Sequence, residues 1–264
     1  MHQPDQDIPR LVGMVHLLPL PGAPRAREMT EVVARARADF AALRSAGFRA
    51  AMVENFGDSP FYPDRVPAET IAAMSAVITV LRADAPDMQL GVNVLRNDGE
   101  SAIAIAAACG ASFIRVNVLT GAMVTDQGVI TARAHAVMRL RARLCPSVRV
   151  LADILVKHAE PLAAVRDLQQ LVHDTVARAG ADALVVSGEG TSRPVDGDRL
   201  KDVAAASPVP VYIGSGFSAQ NAAAQLAVAH GAIVGSSIKT TSDPSSPVDP
   251  EKARALIAAV QRMC

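Results

Sequence analysis

Short apolar runs rich in β-branched residues alternate with longer segments of helical spacing along the whole chain. Such runs between helical segments are typical of buried parallel strands. The predicted strands are Leu11–Leu17, Ala50–Glu54, Gln89–Val94, Ser112–Val118, Val148–Ile154, Ala183–Val186, Val209–Ile213 and Ala232–Val234. The clearest predicted helices are Thr30–Ala46, Ala68–Ala83, Ala132–Leu144, Pro161–Ala179 and Pro250–Met263, and Phe217–His230 also has a helical composition.

Glycines mark the joins between predicted helices and the strands that follow them. Gly47, Gly110, Gly180 and Gly231 each come just before a strand, where glycine supplies the left-handed residue that ends a helix. Strict alternation predicts a parallel sheet, and eight units without a second zone of composition favour closure into a barrel. We therefore predict one (β/α)8 TIM barrel domain over residues 1–264, with 1–9 as a polar tail.

The longer breaks in the pattern all follow strands, at residues 18–29, 55–67, 119–131 and 240–249. In a barrel these segments form the rim at the carboxyl ends of the strands, where the chemistry of this fold takes place. Within the third break, Val124–Ile130 is predicted to be a small hairpin or turn that projects over the mouth.

The composition restricts the core and the partners. Half of the residues are hydrophobic, only 3% are aromatic and none is Trp, so the core must consist of Ala, Val, Leu and Ile. The 26 basic residues balance the 26 acidic ones and are scattered along the chain, which argues against a nucleic-acid partner. Alanine-rich outer helices are compatible with a homo-oligomer.

The cysteines and the apolar runs bear on the compartment. Three cysteines without metal or redox spacing do not indicate a disulfide framework and favour a reducing cytoplasm. The first residues are polar, and no uncharged apolar run approaches the roughly 18 residues that a transmembrane helix needs. We expect a cytoplasmic chain without a transmembrane segment.

Two Gly/Ser turns end the last two predicted strands: Gly214-Ser215-Gly216, and Gly235-Ser236-Ser237. Glycine lets the backbone approach an oxyanion closely, so that N–H groups and a following helix N-terminus point at the charge. Paired turns on consecutive parallel strands predict a phosphate site, to which Lys239 would add positive charge. The alternative is tight turn geometry without a ligand.

Polar residues stand at the carboxyl ends of the other strands, where an apolar barrel strand leaves the core. Candidate catalytic residues are His16, Glu54, Asp153 and Lys157, and candidate substrate-binding residues are Asn93, Arg115, Asn117, Ser187 and Gly188. A carboxylate inside an apolar strand is costly to bury unpaired.

Each candidate has a structural alternative. The alternative for the carboxylates is a structural ion pair with Arg115 or Lys157. The alternative for Lys157 itself is a solvated surface charge. His16 would be a hydrogen-bonded structural histidine, and Asn93 and Asn117 would satisfy backbone groups near the strand ends.

The leading hypothesis is that the chain is an enzyme that acts on a phosphorylated sugar or nucleotide-like molecule. Glu54 and Asp153 would act as general acid and base in an isomerase, lyase or hydrolase step, and Lys157 or Arg115 would stabilise an enolate or oxyanion. No cofactor is predicted. A metal-dependent hydrolase that uses Glu54, Asp153 and His16 stays open as an alternative, although no ligand spacing indicates it.

Several longer motifs resemble the BtpA family of barrel proteins, relatives of the ribulose-phosphate-binding barrels. The motifs are Gly13-Met-Val-His-Leu-Leu-Pro-Leu-Pro-Gly22, Val53-Glu-Asn-Phe-Gly-Asp-Ser-Pro-Phe61, Gly91-Val-Asn-Val-Leu-Arg-Asn-Asp98, Phe113-Ile-Arg-Val-Asn117, Ala152-Asp-Ile-Leu-Val-Lys-His158 and the two turns. The resemblance implies a barrel and a phosphate site, but no particular reaction.

The family takes its name from a role in photosystem I biogenesis, so the resemblance also implies an alternative function. In that alternative the barrel is a non-catalytic assembly factor that binds protein partners at a membrane surface. One position departs from the family pattern, because Thr191 is followed by Ser192 where the family usually has glycine. If the family glycine contacts the ligand through its backbone, we expect the fit of a ligand at that loop to differ in this chain.

Overall fold

The computed structural model describes residues 7–155, 159–164, 167–188, 195–241 and 243–263. Within these residues, eight parallel strands close into a barrel in their order along the chain. The barrel strands are β1 (Leu11–His16), β2 (Ala50–Glu54), β3 (Gln89–Asn93), β4 (Phe113–Val116), β7 (Arg149–Ile154), β9 (Ala183–Val186), β10 (Val211–Ile213) and β11 (Gly231–Val234). The predicted (β/α)8 barrel is confirmed.

Helices lie between the strands and cover the barrel. They are α1 (Met29–Ala46), α2 (Ala68–Asp84), α3 (Gly99–Cys109), α4 (Ala134–Leu144), α5 (Leu168–His173), α6 (Gly197–Ala206), α7 (Ala222–Leu226) and α8 (Pro250–Gln261). Their apolar faces pack on the outward faces of the strands and form the larger hydrophobic core. In the described part of the chain, no helix is both long enough and apolar enough to cross a membrane.

Two predicted helices were wrong in their bounds. The segment predicted as Pro161–Ala179 becomes helical only at Leu168, because the Asp167 carboxylate caps that end by accepting from the N–H groups of Gln169 and Gln170. The segment predicted as Phe217–His230 contains only the five residues of α7. Composition alone did not reveal either boundary.

A small antiparallel sheet lies beside the barrel mouth. Strands β5 (Ala122–Thr125) and β6 (Gly128–Thr131) form the predicted hairpin, and β8 (Ala159–Pro161) pairs with the other edge of β5. The hairpin prediction is confirmed. Pro161, predicted to begin a helix, instead belongs to this third strand.

Alternate residues of the barrel strands face the interior, as the two-residue period of a strand requires. Away from the mouth the interior is apolar and contains, among others, Val12, Met14, Met52, Phe113, Leu151 and Val185. Gly91 makes room for Phe113, because a Cβ on Gly91 would lie 2.1 Å from the Phe113 ring. Tyr212 lies at the opposite end from the mouth and donates its hydroxyl to the Ile8 carbonyl at 2.6 Å.

Candidate active site at the carboxyl ends of the barrel strands

Four predicted site residues form one row across adjacent strands. The register pairs His16 with Glu54, Glu54 with Asn93, and Asn93 with Arg115. His16, Glu54 and Arg115 each follow an inward-facing apolar residue by two positions, and Asn93 follows Gly91, so the interior becomes polar at one level of the barrel. All four side chains are buried. The barrel thus brings together an imidazole, a carboxylate, an amide and a guanidinium.

Arg115 and Asp153 form a buried, bidentate ion pair. Arg115 donates from Nε to Asp153 Oδ1 and from Nη2 to Oδ2, both at 2.8 Å, and the side chains are 3% and 0% exposed. Asn117 Nδ2 donates to the same Oδ2 at 3.1 Å. Burial alone lowers the pKa of Arg115, but the Asp153 carboxylate outweighs it and holds that pKa above its ordinary value. Both oxygens of Asp153 are therefore engaged in fixing Arg115 and Asn117.

His16 and Glu54 form a second pair on the neighbouring strands. His16 Nε2 lies 3.6 Å from Glu54 Oε1, and the imidazole stacks on the Phe56 ring with centroids 4.7 Å apart. The other ring nitrogen, Nδ1, is 2.8 Å from the Pro244 carbonyl oxygen. A carbonyl only accepts, so Nδ1 carries the proton and Nε2 is the nitrogen that exchanges one.

The Pro244 carbonyl is held in place from outside the barrel by Asp39 of α1. Asp39 Oδ1 accepts from the Val248 N–H at 2.7 Å, and Oδ2 accepts from Arg35 Nε at 3.1 Å and from Lys239 Nζ at 3.4 Å. Arg35 in turn donates to the Ser245 carbonyl at 2.8 Å. The segment 239–248 is thus tied to α1 at both ends and in its middle.

Lys239 directly follows the second Gly/Ser turn, but its ammonium group pairs with Asp39 of α1 at 3.4 Å. Its side chain is fully buried against Asp39, and desolvation lowers its pKa. The expectation that Lys239 adds charge to a bound anion was wrong, because a buried carboxylate on a helix 200 residues earlier in the chain engages its ammonium group.

The asparagines and the strand-end serine connect the two halves of the row. Asn93 Nδ2 donates to the Arg115 carbonyl at 3.0 Å and to Asn117 Oδ1 at 3.2 Å, while its own buried Oδ1 has no partner in the described residues. Ser187 Oγ lies 3.5 Å from Arg115 Nη2. The Gly188 N–H donates to Ser215 Oγ at 3.0 Å, which joins strand β9 to the first turn.

The first Gly/Ser turn has one N–H that is already engaged and one that is not. The Gly214 N–H donates to the Val186 carbonyl at 2.8 Å, whereas none of the described residues accepts from the Gly216 N–H. Gly216 has φ +68°, a conformation that favours glycine. No helix starts directly after this turn, since the Asn221 amide bonds the Gly216 carbonyl and the Ser218 N–H before α7 begins.

Both turns lie against the polar row. A Cβ on Gly214 would lie 2.4 Å from Ser187 Oγ and 3.2 Å from Arg115 Nη2, and one on Gly235 would lie 3.3 Å from His16 Cε1. In the second turn, Ser236–Ile238 is a short 3-10 helix, and the buried Ser237 Oγ has no hydrogen-bond partner among the described residues. Small residues here keep the space next to His16 and Arg115 open.

A cavity of about 740 Å³ opens in front of the row. Glu54, Arg115 and Asn117 line it from the barrel, and Asp126 and Gln127 reach it from the β5–β6 hairpin. Three further arginines line it: Arg25 and Arg27 from the loop after β1, and Arg96 from the loop after β3. A volume of this size accommodates a small-molecule ligand.

Those three arginines were missed at the level of the sequence. Arg96 stands inside one of the motifs that resemble the BtpA family, but it follows the strand by three residues and no strand periodicity places it in the mouth. Arg25 and Arg27 belong to a loop whose path only the structure shows.

Not every predicted site residue can be placed. Lys157, and Ser192 at the position of the family glycine, lie outside the described residues. Among the residues that are described, no three His, Cys, Asp or Glu side chains are grouped closely enough to hold a metal ion. His16, Glu54 and Asp153 accordingly do not form a ligand set, since Asp153 pairs with Arg115.

The family model described as the BtpA family matches residues 8–262. The chain belongs to the BtpA family. It is 45% identical to an uncharacterized protein of Thermococcus kodakarensis over 96% of this chain and 95% of that one. It is 42% identical to the photosystem I biogenesis protein BtpA of Synechocystis over 95% of this chain and 87% of that one.

Solved structures similar to this BtpA-family barrel share its fold at low sequence identity. The 3-hexulose-6-phosphate synthase of Salmonella typhimurium has a TM-score of 0.62 at 15% identity, covering 97% of this chain and 100% of that one. The thiamine phosphate pyrophosphorylase of Pyrococcus furiosus has a TM-score of 0.60 at 13% identity, with 96% of each chain covered. At these identities the likeness shows the fold alone.

Proposed function

We propose that this BtpA-family barrel is an enzyme that acts on a phosphorylated sugar or nucleotide-like small molecule by acid–base chemistry. The observation that carries the proposal is the register row, which sets His16 and Glu54 beside Asn93 and Arg115 at the open end of the barrel. Buried titratable groups gathered at one cavity are typical of catalytic sites rather than of scattered structural ion pairs.

The phosphate is proposed to bind between the two Gly/Ser turns. Gly216 has an N–H without a partner in the described part of the chain. The buried Ser237 hydroxyl likewise has no hydrogen-bond partner among those residues. Two of the solved barrels with this fold are named for reactions of phosphorylated compounds, 3-hexulose-6-phosphate and thiamine phosphate. An anion on these turns leaves its attached carbon skeleton over His16 and Arg115, whose atoms border the glycines.

Glu54 and His16 are proposed as the proton-transfer pair. Glu54 lines the cavity, and His16 Nε2 faces Glu54 at 3.6 Å with the tautomer fixed by the Pro244 carbonyl. Arg115 is proposed to stabilise an oxyanion that develops on the substrate, with Asp153 as the residue that orients it. Asn93 Oδ1, which has no partner among the described residues, suits a substrate hydroxyl. Lys157 stays a prediction.

The experiment is a thermal-shift comparison of phosphorylated sugars and nucleotides with their unphosphorylated parents. We expect stabilisation only by the phosphorylated member of a pair, because the turns offer donors to a phosphate. Ser237→Asp places a negative charge at the proposed phosphate site and should remove that stabilisation. Ser147→Asp adds the same charge at an exposed position before β7, at the other end of the barrel, and should not.

Turnover of the best ligand is then followed by phosphorus and proton NMR with Glu54→Gln. The variant should retain binding and lose conversion by at least about a hundredfold, the usual scale of general acid–base catalysis. If no phosphorylated compound outperforms its parent, or if Glu54→Gln converts the ligand at the wild-type rate, the proposal is wrong.

A second candidate is an assembly factor, favoured by the Synechocystis relative that is named for photosystem I biogenesis. The small sheet beside the mouth carries the exposed side chains Val124 and Val129, and Leu162 follows its third strand. For a factor that binds protein partners, replacing these apolar residues by Thr would abolish function while Glu54→Gln would not. The opposite pattern distinguishes an enzyme.

A further inference from the structure

Arg25, Arg27 and Arg96 form a cationic wall of the cavity that the proposed chemistry does not use. Four arginines line the cavity, Arg25, Arg27, Arg96 and Arg115, against two acidic residues, Glu54 and Asp126. Arg115 is already neutralised by Asp153. Among the described residues that line the cavity, the other three arginines outnumber the two acids, so this part of the lining is more basic than acidic.

Arg96 is a buried cation in that wall. It is only 6% exposed, and desolvation is the main cause of a pKa below its ordinary value. Asp153, Glu54 and Asp126 act in the opposite direction, and Arg115 adds to the lowering. Placing a guanidinium in such a position is costly, so a buried arginine facing a cavity is a usual feature of anion-binding sites.

The backbone around Arg96 is fixed on both sides. The Leu95 N–H donates to Asn55 Oδ1 at 2.7 Å, and the Arg96 N–H donates to the Tyr62 carbonyl at 2.9 Å. Asn97 bonds both backbone groups of Val118, at 2.7 and 3.0 Å. Arg96 is therefore presented by a loop that is pinned to its neighbours, as a preorganised binding group requires.

Arg25 and Arg27 flank the opening. Both are exposed, and neither side chain has an ion pair or hydrogen bond with the described residues. Their loop is ordered by its own backbone, since the Arg27 N–H donates to the Pro19 carbonyl at 2.9 Å. Two arginines without partners on an ordered loop are available to a ligand in the cavity.

The cationic wall and the Gly/Ser turns both adjoin residues of the polar row. Gly214 lies next to Arg115 and Gly235 next to His16, while Glu54 and Arg115 also line the cavity. Arg115 therefore adjoins both the first turn and the cavity, which lets one ligand contact a turn and the cationic wall.

We propose that the substrate carries a second anionic group, a phosphate or a carboxylate, which binds Arg96, Arg25 and Arg27 at the far side of the mouth. The proposal rests on the proposed function and narrows it to sugar bisphosphates or phosphorylated sugar acids. The two anions would anchor the ends of the molecule and hold its middle carbons over the acid–base pair.

The test compares two matched pairs of probes by calorimetry: ribulose 5-phosphate with ribulose 1,5-bisphosphate, and glucose 6-phosphate with 6-phosphogluconate. In at least one pair, the compound with the second anion should bind about tenfold or more tightly, as expected for charge-assisted hydrogen bonds to arginine. A gain in the first pair identifies a phosphate, and a gain in the second identifies a carboxylate.

Variants of the wall and a matched control test whether the gain comes from these arginines or from the overall charge of the protein. Arg25→Gln/Arg27→Gln should remove most of the gain and should weaken binding of the monoanionic member much less than binding of the dianionic one. The control Arg143→Gln/Arg254→Gln removes the same charge from exposed positions on α4 and α8 and should leave the gain intact. Arg96→Gln should abolish the gain, provided that its circular dichroism matches the wild type.

The outcomes are distinguishable. If the monophosphates bind and neither second anion improves the Kd, or if the gain survives both the Arg25/Arg27 and the Arg96 variants, the inference is overturned while the proposed function stands. If none of the four probes binds, the inference is overturned, and the proposed function falls with it only if no phosphorylated compound outperforms its parent in the thermal-shift comparison.

Discussion

Breaking the Arg115–Asp153 pair from one side should destabilise the protein strongly. Asp153→Ala removes both acceptors of a guanidinium that is 3% exposed, and Ser187 Oγ at 3.5 Å is too distant to replace them. Asn117 Nδ2 loses its acceptor as well. Leaving such a charge unpaired costs about 3–5 kcal/mol. At about 2–4 °C per kcal/mol for a chain of this size, Tm should fall by roughly 6–20 °C.

The chain offers a control with the same geometry at the surface. Arg37 donates to both carboxylate oxygens of Asp84, from Nε at 2.7 Å and from Nη2 at 2.9 Å. These side chains are 54% and 34% exposed, so water solvates Arg37 when its partner is removed. Asp84→Ala should therefore change the free energy of unfolding very little.

The measurement is urea unfolding at neutral pH, followed by circular dichroism, for both alanine variants. The double variant Arg115→Met/Asp153→Leu should recover most of the loss, because it removes the buried charge together with its partner. The reasoning is refuted if Asp153→Ala is no less stable than Asp84→Ala, since burial would then not govern the cost.

Two more predictions concern the barrel interior. Burial raises the pKa of Tyr212, with a smaller contribution from Asp7. The neutral phenol therefore contributes stability that is present below about pH 10, where an unfolded tyrosine ionises, and is lost as pH rises further. Tyr212→Phe should cost about 0.5–1.5 kcal/mol at neutral pH, and its deficit against wild type in urea unfolding should shrink between pH 9 and 11; a constant deficit contradicts this. Gly91→Ala, whose Cβ meets the Phe113 ring, should lower the free energy of unfolding by about 1–3 kcal/mol. The control Gly197→Ala, whose Cβ meets nothing within 4 Å, should not lower it. Equal effects of the two variants in thermal unfolding would disprove the packing argument.

Much of the barrel and its mouth could be predicted because the two-residue period is local information. His16 and Glu54 follow inward-facing apolar residues on their own strands, so their convergence needs only the fold class. The partner of Arg115 could not be predicted from the sequence around it. It depends on β4 lying next to β7, across the hairpin, and on a register that aligns Val116 with Ala152.

The errors have the same origin. The Lys239–Asp39 pair joins residues 200 positions apart, so nothing near Lys239 in the chain announces its partner. The start of α5 was set by the cap at Asp167, whereas the alanines and leucines before it gave a helical composition without a helix. Arg96 reaches the cavity from a loop, where periodicity carries no information.

Asp39 would have to accompany the barrel mouth if this site were transferred to another scaffold. Grafting the barrel strands and their rim loops would transfer His16 and Glu54 but not the carboxylate that holds the segment carrying Pro244. The imidazole would then lose the acceptor that selects its tautomer. A transplant of the site must therefore include α1 with Arg35 and Asp39, although that helix contributes no atom to the cavity wall.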